Sequence, residues 1–221
     1  VDWTALTVSL WLGVGTVVVL LPGGLWLGRS LAVREFRGKL LVEALVTVPL
    51  VLPPTVLGYY LLVTFGARSP LGRAFQSLVG HSLPFSFEGL LLASAIANVP
   101  FVVQPIQRGF QAIPREVMDA AACCGLSRWR QFVRIELPLA WPSVLTASIL
   151  AFAHTLGEFG VVLMVGGNLP GRTRTMSVAI YDRMQAFDDR AAGVMAAVLL
   201  AISVAALVAT TRLGRRAFSH D

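Results

Sequence analysis

Apolar residues fall into five long runs, at residues 6–28, 40–65, 89–110, 139–165 and 191–211, and charged residues are nearly confined to the stretches between them. A helix needs roughly 20 mostly apolar residues to cross a hydrocarbon layer about 30 Å thick. Each run therefore predicts one membrane-spanning helix. Together they predict an all-α integral membrane protein with about five transmembrane helices, in a single domain over residues 1–221. The first run is expected to be a retained span rather than a signal peptide. Residues 8–27 are too long for the apolar region of such a peptide, no basic residue precedes them, and no small-residue cleavage site follows.

Pro49, Pro53 and Pro54 in the second run, and Pro100 and Pro105 in the third, each remove a backbone donor and favour a kink. Such prolines either serve packing geometry or frame a pathway, and the sequence leaves both open. Ala147, Ser148, Ala151, Ala153 and Gly157 give the fourth run a small-residue character that suits contact with other helices rather than with lipid.

Composition agrees with this pattern. Of the 221 residues, 56% are hydrophobic and 14% charged, and mean hydropathy is +0.73; so little polar surface would not cover a water-soluble fold. The net charge of +6 comes from 17 arginines and Lys39, clustered between the apolar runs. That placement orients the chain in a bilayer and meets headgroups, and no nucleic acid is expected as partner. Residues 29–39, 108–138 and 212–221 carry four, five and three basic residues, against two in 66–88 and four in 166–190. The positive excess places the first three segments inside, giving N-out, C-in topology. Cys123 and Cys124 are adjacent and poorly placed to bridge each other, and no surrounding residues complete a ligand set. Reduced thiols are expected there, and no metal site.

The inner loop at about residues 111–138 has a character of its own. Pro114 is placed to start a helix, with Glu116 and Asp119 near its positive end. Ala120, Ala121 and Ala122 follow, Gly125 can close the helix as a left-handed cap, Ser127 can cap a second short helix, and Pro138 opens the next span. The pattern predicts a helix–turn–helix elbow at the inner membrane face. By physics alone it suits either docking into a groove of another protein or resting on lipid.

Asp119-Ala120-Ala121, Gly125, Ile135 and Leu137-Pro138 occupy seven positions over 20 residues. Their spacing resembles the signature loop of ABC importer permeases. Asp119 stands where that family usually has Glu, one methylene longer. The resemblance implies a type I importer permease whose loop is a coupling helix. It would dock into a cleft of a separate ATPase and carry the motion of ATP binding into the membrane. No G-x-x-x-x-G-K-[ST] occurs, since Gly38-Lys39 is followed by Leu40. The chain is therefore not expected to be an enzyme or to bind a cofactor; ATP and Mg belong on the partner.

Three further phrases look like the molybdate branch of that superfamily: residues 49–59, His154-Thr155-Leu156-Gly157-Glu158-Phe159-Gly160, and residues 167–175. Sulfate permeases share looser versions of the last two, and tungstate is a possible co-substrate. The likeness implies a permease homodimer, two ATPase subunits and an extracytoplasmic molybdate-binding protein, in the cytoplasmic membrane of a bacterium or archaeon. Hydroxyls and amides along a pathway suit a tetrahedral dianion, and Ser94, Asn98, Gln104 and Thr155 are candidates; each serves equally well as an interhelical hydrogen bond. Glu158 lies well inside the fourth run, where an unpartnered carboxylate is costly. With Phe159 and Gly160 it is expected at the gate, tying helices together, with His154 one turn away as a possible partner. In the outer loop, Asn168, Arg172 and Arg174 are candidates for steering an anion or meeting the binding protein, although Asp182, Asp188 and Asp189 oppose their field. A secondary transporter is the competing class, but no internal repeat is evident. Co-purification with a soluble ATPase separates the two.

Overall fold

The computed structural model describes the backbone of residues 1–218 and side chains as far as Val208. The side chains of the basic tail, 212–221, therefore lie outside the described residues. The first run becomes α1, Trp3–Val33, whose start is capped by the Asp2 carboxylate accepting from the Ala5 amide at 3.0 Å. The third becomes α5, Phe87–Gln111, capped by Ser86 and continuous through Pro100 and Pro105.

The second run is not one helix. It forms α2, Lys39–Val51, and α3, Pro54–Phe65, bent by 111° at the intervening residues. Adjacent Pro53 and Pro54 explain the break: neither has an amide hydrogen, and a residue preceding proline is driven out of the helical region. Leu52 and Pro53 accordingly sit at ψ 135° and 136°. A short helix α4, Pro70–Val79, follows.

Between α5 and the fourth run lies the expected elbow: α6, Arg115–Cys123, then α7, Arg128–Gln131, then a π-helical turn over Phe132–Glu136. Gly125 has φ +71° and closes α6, its amide bonding to Ala122 and that of Leu126 to Ala121. One expectation needs correction here. Ser127 occupies the cap position of α7, but its side chain makes no capping bond. Pro138 lies in the first turn of α8, Leu137–Gly157, as expected, but no gap separates α8 from the elbow: α7, the π turn and α8 form one continuous stretch from Arg128 to Gly157. Pro138 cannot donate to Arg134, four residues back, and the wider turn absorbs the missing bond, with Leu137 bonding to Phe132.

The fourth run breaks as well. Glu158, expected inside a span, is instead the first residue after α8, at ψ 125°, and α9 begins at Gly160 and ends at Gly166. No proline lies at this break. Contacts from other elements stabilise it: Ser177 of α10, Met176–Gln185, donates to the Glu158 carbonyl at 2.7 Å. The last described element is α11, Asp189–Phe218.

α1 and α5 form the spine. Gly15 meets Leu91, Gly24 meets Val102 and Gly28 meets Ile106, a near-constant offset that shows the two helices running parallel. α8 runs against them, with Gly109 touching Ser143 and Asn98 touching Thr155. Since α1 and α5 point the same way, the chain between them must recross, so the bent pair α2–α3 supplies the second of five crossings. The end of α1, the end of α5 and the elbow then share one face of the bundle. The largest cluster of buried residues joins α5 to α8, including Val102, Ile106, Phe110, Val144 and Ala151.

A Cβ on Gly28 would stand 2.8 Å from Ile106 and 3.1 Å from the Val103 carbonyl. Gly28→Ile should therefore force α1 off α5 and destabilise the bundle by about 1–3 kcal/mol, read as a lowered thermal midpoint in detergent.

Candidate functional site

The two helix breaks meet. α3 and α9 lie side by side, and a Cβ on Gly160 would stand 2.8 Å from Pro54 Cβ and 3.1 Å from the Thr55 nitrogen. Only glycine permits that approach. Beside the contact is an open cavity of about 490 Å³, lined by Pro54, Thr55, His154, Gly157, Glu158 and Phe159, with Gly160 and Ala153. Its depth follows from His154, which contacts Asn98 halfway along α5. The three expected gate residues Glu158, Phe159 and Gly160 are thus together. The side chain of Phe159 packs on Tyr181 of α10, with ring centroids 4.9 Å apart.

Glu158 is buried and tied in three ways. Its carboxylate accepts from the Val161 amide at 3.3 Å, capping α9, and faces His154 Nε2 at 3.7 Å, while its carbonyl accepts from Ser177. His154 Nδ1 donates to Asn98 Oδ1 at 3.2 Å and its ring stacks on Phe101. The Asn98 amide is oriented because its nitrogen donates to the Ser94 carbonyl and to Thr155 Oγ1.

Ser94, Asn98 and Thr155 are at most 2% exposed and bond to one another and to Thr16 of α1. They hold α1, α5 and α8 together behind the cavity and do not line it. Gln104 is placed elsewhere: it reaches Thr47 of α2 at 3.3 Å, one turn from a second bond between Gln107 and Glu43. Both bonds attach α2, the first half of the broken span, to α5.

At the far end from the elbow, Arg174 donates to Asn168 at 2.6 Å and lies 3.6 Å from Asp182 and 3.9 Å from Asp2. Asn168 donates to Asp182 in turn. This pair is therefore engaged within the loop, and Asp182 opposes the field of Arg174 as expected. Arg172 lines a separate cavity of about 740 Å³ with Glu88, Trp3 and Trp11.

The elbow stands off the bundle. Asp119, Ala120, Ala122 and Gly125 are exposed, and Ala121 is the one buried residue of α6. Ile135 and Leu137 are half-buried, and Pro138 is exposed where the stretch turns into the membrane. Beneath it lies an ion pair: Arg29 of α1 grips the buried Glu136 carboxylate with two donors, Nη2 reaching Oε1 at 2.8 Å. The guanidinium also sits 5.0 Å from the centre of the Phe132 ring, which packs between Trp129 and Phe110.

A family model described as the inner membrane component of binding-protein-dependent transport systems matches residues 21–218. The chain belongs to this family. It is 46% identical to the molybdenum transport system permease protein ModB of Azotobacter vinelandii over 85% of this chain and 83% of that one. With ModB of Escherichia coli K12 the identity is 37%, over 83% and 80%; with the sulfate transport system permease protein CysT of the same organism it is 32%, over 89% and 72%. Among solved structures, a chain of the bacterial alginate ABC transporter bound to its pentasaccharide-loaded periplasmic protein superposes with TM-score 0.77 at 16% identity, covering 97% of this chain and 78% of that one. A chain of the inward-facing MetNI methionine ABC transporter gives 0.71 at 17%, covering 98% and 94%. These likenesses establish the fold, so the expected architecture of a multi-pass ABC importer permease is borne out.

Three residues at these sites were not singled out from the sequence. Thr55, exposed beside Gly160, had a signal in the adjacent prolines. The Arg29–Glu136 pair had none, because 107 positions separate its members. Removing one member of a buried pair strands the other charge, at a cost of about 3–5 kcal/mol, whereas removing both can be nearly neutral. Arg29→Met should therefore lower the thermal midpoint sharply, and Arg29→Met with Glu136→Met should recover most of it. Additive losses in that double-mutant cycle would show that the pair contributes nothing as a pair.

Proposed function

We propose that this chain forms the translocation pathway of an ATP-driven molybdate importer in the cytoplasmic membrane, as one of two identical copies. The observation that carries this is the convergence of two helix breaks on one open cavity at mid-bundle. Irregular backbone at that depth is tolerated where protein or a water-filled path surrounds it. A carboxylate and an imidazole on an open wall would be costly against hydrocarbon, so a second copy covers the cavity and the two walls enclose the path. The N-terminal end of α3 and the Thr55 hydroxyl face that path and suit a tetrahedral oxyanion. Glu158, already committed to Val161 and His154, ties the break together and does not bind substrate. The choice of molybdate is supported by the relatives carrying that name, and sulfate is the second reading because CysT-type permeases match at lower identity.

The elbow is the coupling element. Asp119, Ala120 and Gly125 offer an exposed narrow face to a cleft in a separate ATPase, where ATP and Mg reside. From Arg128 the helix runs unbroken to Gly157, so a displacement at the elbow travels along a stiff rod to the break. A binding protein outside supplies affinity, and the path itself holds the ion weakly so that it is released.

Labelled molybdate uptake, in cells lacking their own system and given this chain with its cognate ATPase and binding protein, tests the proposal. Uptake should survive excess sulfate; uptake erased by sulfate moves the assignment to sulfate. Gly125→Asp should abolish uptake and binding-protein-stimulated ATP hydrolysis while leaving the chain inserted. A Cβ there meets nothing within 4 Å, and the left-handed backbone costs only about 1–2 kcal/mol. Glu158→Gln should assemble normally yet transport at a reduced rate. Full transport by that variant would remove Glu158 from the gate.

A further inference from the structure

On the flank of the elbow facing α1 lies a cavity of about 680 Å³ that the transport path does not use. Its wall along α1 runs from Pro22 and Leu25 through Trp26 to Arg34, and its other side is built from Arg128, Trp129 and Phe132. Twelve residues separate Pro22 from Arg34, so the cleft extends roughly 18 Å along the helix. Its deep end is apolar and within the spanning part of α1, and its shallow end is basic.

The charges are uneven. Arg29 also borders the cleft but is neutralised by Glu136. Arg34 and Arg128 have no carboxylate partner among the described residues, and Glu35, next to Arg34, is taken by Lys39 at 2.7 Å. Two exposed tryptophans border the cleft, Trp26 part-way along its apolar wall at 69% and Trp129 beside Arg128 at the basic end at 71% exposure. Indole rings favour the depth of lipid headgroups. The basic residues thus stand at headgroup height on the side that positive charge marks as inner, over an apolar groove descending into the hydrocarbon.

We propose that this cleft binds one anionic phospholipid of the inner leaflet, its phosphate held between Arg34 and Arg128 and an acyl chain lying along Leu25 and Pro22. A soluble ATPase docking on the elbow cannot reach the deep end, which lies within the membrane. A second protein helix would fill the groove but leave the two arginines unanswered. The lipid satisfies both ends. It also sits beside Arg29–Glu136 and the Phe132 ring, so its headgroup braces the joint between α1 and the elbow.

The test uses the complete complex of permease, ATPase and binding protein in nanodiscs of equal phosphatidylglycerol and phosphatidylcholine, with retained lipid measured after extraction into detergent. Each arginine near an anionic surface contributes on the order of 1 kcal/mol, so two should enrich phosphatidylglycerol roughly tenfold or more. Arg34→Gln with Arg128→Gln should return the retained lipid to the bulk ratio. Equal enrichment in the double variant would overturn the site, as would loss of the lipid when the ATPase is added to the permease. Displacement by millimolar glycerol phosphate would also overturn it, since a free phosphate has no claim on the apolar groove. Should the double variant fail to fold, phosphatidylglycerol with brominated acyl chains supplies a second measurement. It should quench wild-type fluorescence more than brominated phosphatidylcholine does, and Trp26→Phe should remove the difference; no difference in the wild type sinks the proposal.

Discussion

Inside a bilayer no water is available to hydrogen-bond a free amide or carbonyl, so every backbone polar group in the spanning region has to find a partner within the protein. The arrangement of this fold follows from that constraint. Three of the crossings meet it with continuous helix. The two broken crossings meet it by leaning on each other: Glu158 turns its carboxylate onto the Val161 amide, Ser177 satisfies the Glu158 carbonyl, and α3 presses against Gly160. Irregular backbone is thereby gathered into one place, and that place is a cavity. The path proposed for a charged solute is placed where broken helices are tolerated.

The polar network behind the cavity has a different task. Thr16, Ser94, Asn98 and Thr155 bond in a closed set between α1, α5 and α8, and His154 connects that set to Glu158. Each such bond is worth on the order of 1 kcal/mol in a membrane, but together they set the rotation of three helices. The cavity is therefore backed by this network on one side and bordered on the other by the α2–α3 pair, of which α2 is bonded to α5 through Gln104 and Gln107 and α3 packs on α9 and α5 through Leu57 and Leu61.

Between the elbow and the cavity the chain is one unbroken stretch from Arg128 to Gly157. Its π-helical turn is a consequence of Pro138, and it points Glu136 inward at Arg29. The joint is electrostatic where it meets α1 and aromatic where Phe132 packs on Phe110. This combination fixes the orientation of the joint and leaves α6 exposed.

Periodicity and composition alone determined the membrane class, the number of crossings, the inside-facing charge and the elbow with its left-handed Gly125. These depend on local quantities: run length, the count of arginines between runs, and a glycine after an alanine helix. The break at Pro53-Pro54 was also written locally, in two missing amide hydrogens, although its 111° bend was not. The break at Glu158 was invisible, since nothing in its neighbours forbids helix. It exists because α10 and α9 supply better partners for its carbonyl and carboxylate. For the same reason Ser94, Asn98 and Thr155 were recognisable as polar residues in the membrane, but their turning inward to one another was not. Nor was the pairing of Arg29 with Glu136, across 107 residues of chain. Local chemistry decides whether a segment enters the bilayer. Which polar groups satisfy one another once inside is a property of how helices distant in sequence are packed, and only the tertiary structure decided it.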